Sequence, residues 1–206
     1  MHVIEYLRLA WHFRADPFYA KYLAGRSVLD VGAGAGEFVK KDRTRFVGIE
    51  LDSHLVEQCQ RRGLNVQQMD ALSLQFPDGS FDAVHAGQLI EHLAPSEAAR
   101  FIMEAARVVV PGGIIFLTTP GVKNVWNTFS HVRPYPPDAF RKLLGTETEH
   151  LVRGERSELE FVGAWGTRYF ISNPLLRVLG SCLDLLWPPQ NPIGWTIILR
   201  KSKRVQ

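Results

Sequence analysis

The stretch VLDVGAGAGEF, residues 28–38, decides the fold. Residues 28–31 read as a short strand, and glycine then stands at every second position, at 32, 34 and 36. In an open α/β sheet, a strand that runs into a turn with few side chains lets a ligand lie close to the backbone. The dinucleotide fingerprint GxGxxG would put its third glycine at position 37, where Glu37 stands, so nicotinamide binding fails on spacing. A GxGxG turn, one residue shorter, still suits an adenosyl ligand. Without a diphosphate to hold, there is less use for a helix N-terminus as an anion site. A cofactor lacking phosphate is the expectation.

Outward from this turn the chain alternates strand and helix patterns. Strand-like runs occur at 27–31, 45–50, 65–69, 81–86 and 113–119, separated by segments with helical spacing. In 96–109, Phe101, Ile102, Ala105, Val108 and Val109 line one face, Ser96 is the expected N-cap, and Pro111-Gly112-Gly113 is expected to stop the helix. After Thr119 the rhythm changes to an aromatic loop, a short helix at PPDAFRKLL, and two closing strand runs at 160–170 and 195–202. This order implies an α/β fold with a mostly parallel sheet and an added antiparallel element.

Acidic residues stand at or near the ends of three successive strands. Glu50 ends the second, where a carboxylate can accept from ribose hydroxyls, Asp70 follows the third, and Asp30 lies inside the first beside the glycines. Each alone could simply cap a helix or face solvent. Together they fit a bound nucleoside. VLDVGAGAGEF, VGIELD, QMDALSLQFPDGSFDAV, IEHL and RVVVPGGIIFLTTPG, in that order over residues 27–120, resemble the class I S-adenosylmethionine-dependent methyltransferases, especially the small type that modifies metabolites.

The resemblance implies a Rossmann-like seven-stranded sheet with an antiparallel terminal strand, helices on both faces, and S-adenosylmethionine as cofactor. It implies that Gly32, Ala33, Gly34 and Gly36 pack against the methionine part and that Asp30 lies near its amino group. Glu50 with Leu51 would take the ribose, and Asp70, Ala71 and Leu72 the adenine. Ala86, Gly87 and Gln88 would run past the methionine into the acceptor site. One departure concerns residues 37–44, which alone separate the glycine turn from the second strand, so the first helix is expected to be about a turn shorter than usual.

Methyl transfer from a sulfonium relies on alignment and exclusion of water, and needs a base only when the acceptor must lose a proton. The loop after the fifth strand offers Trp126, His131, Arg133 and Tyr135. His131 and Tyr135 are the expected catalytic or acceptor-contacting residues, although a loop histidine can equally be a surface or capping group. Arg133 could meet an anionic acceptor or pair with Asp138. Some quinone-pathway and RNA-end methyltransferases of this fold carry an E-x-x-E-H metal cluster. The matching positions here are Gln88, Glu91 and His92, the first carboxylate is missing, and no metal is expected.

Bulk properties bound the rest. A chain of 206 residues, 46% apolar, fits one domain, with 1–26 as a helical cover, 27–120 as the cofactor core and 121–206 as the acceptor side. No signal-peptide pattern is evident, no run reads as a membrane span, and Cys59 and Cys182 form no CxxC, so a cytoplasmic location with reduced thiols is expected. The net charge of +3 and the basic 200–204 tail fit a solvated terminus better than a nucleic-acid surface. The amphipathic stretch 1–11 is expected to cover the cofactor cleft. The apolar stretch 175–187 reads as a core helix, a dimer contact or a peripheral membrane patch, leaving monomer and homodimer both open. The favoured activity is methylation of an O or N atom of a small molecule, lipid-like acceptors included. The alternatives are RNA or protein methylation and a non-catalytic cofactor-binding protein.

Overall fold

A computed structural model of the chain describes residues 17–145, 159–167 and 190–203. The amphipathic stretch 1–11, the apolar stretch 175–187 and Cys182 lie outside the described residues. In chain order the elements are α1 (Pro17–Tyr22), β1 (Val28–Val31), β2 (Phe46–Glu50), α2 (Ser53–Arg61), β3 (Val66–Gln68) and β4 (Phe81–Gly87), then α3 (Pro95–Val108), β5 (Val109–Pro120), α4 (Pro137–Leu144), β6 (Leu159–Thr167) and β7 (Gly194–Lys201). The strands form one seven-stranded sheet in the order β3-β2-β1-β4-β5-β7-β6. Strands β1 to β5 are parallel, and β7 runs antiparallel to both β5 and β6. The chain's last strand is thus the antiparallel one, and it lies inside the sheet, leaving β6 at the edge.

Burial explains why the central strands are apolar throughout. All of β1 is buried, as expected of a parallel strand covered on both faces. Successive residues of β5 serve opposite faces: Ile115 and Leu117 pack with Phe101, Ile102 and Ala105 of α3, while Ile114 and Phe116 belong with Tyr22, Leu23 and Val56. The same alternation holds at Ile197, Ile198 and Leu199 of β7.

Three local expectations change. Between β1 and β2 there is no shortened α-helix but a single 3₁₀ turn, Val39–Lys41. Asp42 ends it at once, accepting from the hydroxyl of Thr44 at 2.8 Å and from Arg45 Nε at 2.7 Å, and these bonds hold its carboxyl down at about 2. Helix α3 is capped at Ala94 rather than Ser96. Pro95 takes the first helical position, where its missing N–H costs nothing, and the Glu97 carboxylate reaches back to accept from Ala94 N at 2.8 Å. Pro111-Gly112-Gly113 does not precede the fifth strand but bulges within it, because the pairing with β4 jumps from Phe81↔Val109 to Ala83↔Ile114.

One polar network fixes a loop that matters for the site. From α3, Arg107 donates to the carbonyls of Leu74 at 2.7 Å and Phe76 at 2.8 Å, and pairs with Asp78 and Glu104. Glu104 also accepts from Leu74 N at 2.8 Å, and the Arg107 hydrogen bonds lower its carboxyl pKa. Residues 74–78 are therefore tied to a core helix, which holds the preceding Asp70–Leu72 turn at the sheet's carboxyl edge.

Candidate cofactor and acceptor site

The carboxyl ends of β1, β2 and β4 converge on the glycine turn. Within it Gly32 N and Ala33 N donate to Ile49 O, both at 2.9 Å, and Gly36 N donates to Ala33 O at 2.8 Å. Gly34 N donates to Glu50 Oε2 at 2.8 Å. With these four amides committed inside the protein, the turn forms no anion-binding nest of the sort a diphosphate needs. Gly34 has φ +52°, and a Cβ there would meet nothing within 4 Å, so its exposed side is where a ligand can lie against bare backbone.

Glu50 therefore braces the turn from the carboxyl end of β2. Its Oε1 accepts from Leu51 N at 2.8 Å and Asp52 N at 3.2 Å, while Oε2 holds Gly34 N. A carboxylate has about four lone-pair sites, so one on Oε2 remains for a sugar hydroxyl. Accepting from both hydroxyls of a ribose requires release of one backbone amide. Beside it Leu51, just past the carboxyl end of β2, is 67% exposed. Asp70 is exposed and closes its own turn, accepting from Leu72 N at 2.8 Å through Oδ1. Its second oxygen is left for an exocyclic amine, and Ala71 and Leu72 are half-buried beside it.

Asp30 sits differently from what the resemblance implies. It is 2% exposed and accepts from His85 Nδ1 at 2.6 Å, because the β1–β4 register sets Asp30 opposite His85. The imidazole in turn stacks on Phe38 with centroids 3.7 Å apart, and Phe38 stacks on Phe46. Asp30 is thus a buried partner of a histidine under the turn rather than a group displayed toward the cofactor. His85 was missed in the sequence reading. The only signal for it was that parallel neighbours bring 30 and 85 level.

Two further braces were also missed. The Cys59 thiol, whose pKa burial pushes up, donates to Gly34 O at 3.4 Å. Arg62 donates to Ala35 O at 2.6 Å and pairs with Glu37 at 3.1 Å. Both come from α2 and its C-cap, so this helix holds the turn through its carbonyls while Glu50 holds it through an amide.

After β4, Ala86 is buried and Gly87 half-buried. Gln88 is, among the described residues, the one side-chain-bearing position with positive φ, at +55°. Its N–H is held by Thr118 O at 2.9 Å. Such a conformation costs roughly 1–2 kcal/mol in a residue with a Cβ. Gln88→Gly is expected to raise stability by about 0.5–1 kcal/mol in urea unfolding, the relief exceeding glycine's entropic cost, and a loss of stability would refute the strain.

The acceptor side is formed by residues 121–136, folded over the turn at Ile90–His92. Val132 N donates to Glu91 O at 2.8 Å and fastens the loop there. Tyr135 is buried, and its hydroxyl donates to Leu93 O at 2.8 Å. Burial raises its pKa, which disfavours the phenolate, so Tyr135 anchors the loop and is not a free base. Arg133 lies over the Tyr135 ring, 5.2 Å from its centroid, and Asp138 pairs with Arg141 at 2.5 Å rather than with Arg133. His131 is half-buried with Nδ1 2.6 Å from Val125 O. Trp126 and Phe129, on the same loop, are exposed.

Comparison with known proteins agrees with this geometry. A family model for a methyltransferase domain matches residues 29–117. A probable S-adenosylmethionine-dependent methyltransferase of Mycolicibacterium smegmatis is 31% identical over 73% of this chain and 60% of its own length. The human probable tRNA methyltransferase 9B is 34% identical over 52% of this chain and 24% of its own. A ubiquinone biosynthesis O-methyltransferase of Albidiferax ferrireducens is 32% identical over 58% of this chain and 49% of its own. The chain thus spans less than two thirds of these curated relatives. The crystal structure of a SAM-dependent methyltransferase from Archaeoglobus fulgidus shares the fold, with a TM-score of 0.62, 21% identity, and coverage of 94% of this chain and 93% of that one. A sheet of this order, a glycine turn without a diphosphate nest and these matches together make the chain a member of the class I S-adenosylmethionine-dependent methyltransferases, with S-adenosylmethionine the cofactor that family and fold imply.

Proposed function

We infer that the chain transfers a methyl group to an O or N atom of a small molecule. The observation that carries this reading is the turn at Gly32–Gly36, whose amides are engaged internally while Glu50 braces it and keeps one acceptor position for a sugar. Bound S-adenosylmethionine supplies a sulfonium methyl group that passes in line to the acceptor atom. The protein's part is to hold and align. Gly34 gives the methionine portion bare backbone, Glu50 takes the ribose, and the Asp70–Leu72 turn, fixed through Arg107, takes the adenine. The acceptor enters beneath residues 121–136, where exposed Trp126 and Phe129 suit a flat or apolar molecule. Among the described residues no helix is long and apolar enough to cross a membrane.

RNA is the second reading, favoured by one specific observation: a relative named as a tRNA methyltransferase. A single assay separates the two. With radiolabelled S-adenosylmethionine and a panel of phenols, amines, carboxylic acids and bulk tRNA, label is expected in the small-molecule fraction. Label confined to tRNA would replace the first reading with the second, and failure to bind S-adenosylhomocysteine in calorimetry would remove both.

A further inference from the structure

Between α3 and α4 the packing leaves a trough of about 370 Å³. Its wall is apolar. Ile90, Ala98, Ala99 and Phe140 line it, and none of them is more than 5% exposed. The sequence explains the space. Farther along α3 the large chains of Phe101 and Ile102 fill the core, whereas the first turns bring only alanines, at 98 and 99, to this wall. Interiors are otherwise close-packed, and α4 does not close the gap, since it sets Ala139 beside Phe140. Small-molecule sites occupy about 300–1,000 Å³, and the trough falls in that range. None of its lining residues belongs to the glycine turn, to Glu50 or to the Asp70–Leu72 turn, so it is distinct from the candidate cofactor site.

The polar groups of the lining are few, and two are already committed. Tyr135 donates its hydroxyl to Leu93 O at 2.8 Å, and Asp138 pairs with Arg141 at 2.5 Å. Arg133 differs. Its guanidinium lies 5.2 Å from the centroid of the Tyr135 ring, and among the described residues it pairs with no carboxylate. It is held in place from both ends, because the ring is anchored through its hydroxyl and Arg133 N donates to Glu91 O at 3.4 Å. Lys142 adds a second positive charge to the lining. A water-shielded apolar wall thus adjoins a guanidinium of fixed position. Such a planar fork receives a carboxylate through two parallel N–H···O bonds.

We propose that this trough binds an amphiphilic carboxylate, an apolar chain or ring ending in one CO₂⁻ group. The apolar part lies against Ala98, Ala99 and Phe140, and the carboxylate meets Arg133. A neutral lipid leaves the guanidinium unanswered, and a short hydrophilic acid leaves the apolar wall wet. Arg133, Tyr135 and Pro136 belong to the loop on the acceptor side, so the bound molecule fastens that loop to α3 and α4. The site stands apart from the methyl-transfer reading, and S-adenosylmethionine has no part in its test.

The full chain is titrated with octanoate by calorimetry, with thermal unfolding followed in parallel and with octanol and acetate as controls. One equivalent of octanoate per chain, a Kd of about 2 mM or tighter and a raised Tm are expected, with octanol and acetate each at least about tenfold weaker. Arg133→Met keeps an apolar stem over the Tyr135 ring but removes the fork, and it is expected to weaken octanoate binding at least about tenfold. Ala139→Leu fills the trough from α4 and is expected to do the same, while Arg61→Gln on α2 leaves binding unchanged. A Kd weaker than about 2 mM overturns the proposal. So does binding that survives both Arg133→Met and Ala139→Leu, and octanol binding as tightly as octanoate overturns the carboxylate assignment. A dimer that Ala139→Leu dissociates would give the trough to a second copy of the chain and overturn the proposal as well.

Discussion

Glu50→Ala is expected to weaken S-adenosylhomocysteine binding about 100-fold while the chain stays folded. Two losses add. The carboxylate no longer accepts a ribose hydroxyl, a charge-assisted bond of about 1.5–3 kcal/mol, and Gly34 N loses the partner that holds the turn at 2.8 Å. Glu50→Gln is expected to fall between. Its amide keeps one acceptor oxygen but turns an N–H₂ toward the donors of Gly34, Leu51 and Asp52. Calorimetry with the three proteins measures the series. An alanine variant within about threefold of wild type would show that Glu50 has no part in cofactor binding.

The glycines give the largest expected effect on stability, and it divides by position. At Gly36, φ is +76° and a Cβ would stand 2.5 Å from Leu64 Cδ1 and 3.0 Å from Cys59 Sγ, both on buried residues. Gly36→Val combines a left-handed β-branched residue with overpacking and is expected to cost about 3–5 kcal/mol, enough to leave much of the chain unfolded. At Gly34 a Cβ meets open space. Gly34→Ala is accordingly expected to fold, with a small loss in stability and a clear loss of cofactor affinity. Urea unfolding beside ligand titration separates the two. Equal destabilisation at both positions would refute the division into a packing glycine and a ligand-facing one.

Much of the site was legible because it depends on short-range chemistry. A GxGxG turn after an apolar strand and acids at successive strand ends can be read from spacing, and β4 and β5 appear close to the expected runs because central parallel strands are apolar on both faces. Less legible were features fixed by a neighbour far along the chain. Nothing near residue 30 announces that its carboxylate is paired with His85, since that follows from the β1–β4 register. Tyr135 reads as a catalytic phenol until its hydroxyl is found on Leu93 O.

The sequence by itself determined the α/β class, a glycine turn without the dinucleotide spacing, and the candidate acids Glu50 and Asp70 at strand ends, because backbone freedom and side-chain type act where they stand. Only the tertiary structure decided which groups brace that turn, that β7 enters between β5 and β6, and that the loop after β5 folds onto the turn at Ile90–His92. The physical reason is that burial and hydrogen-bond partners are properties of packed surfaces. A carboxylate's role depends on what faces it, and residues 91 and 131 face one another only after the loop has folded back over the sheet.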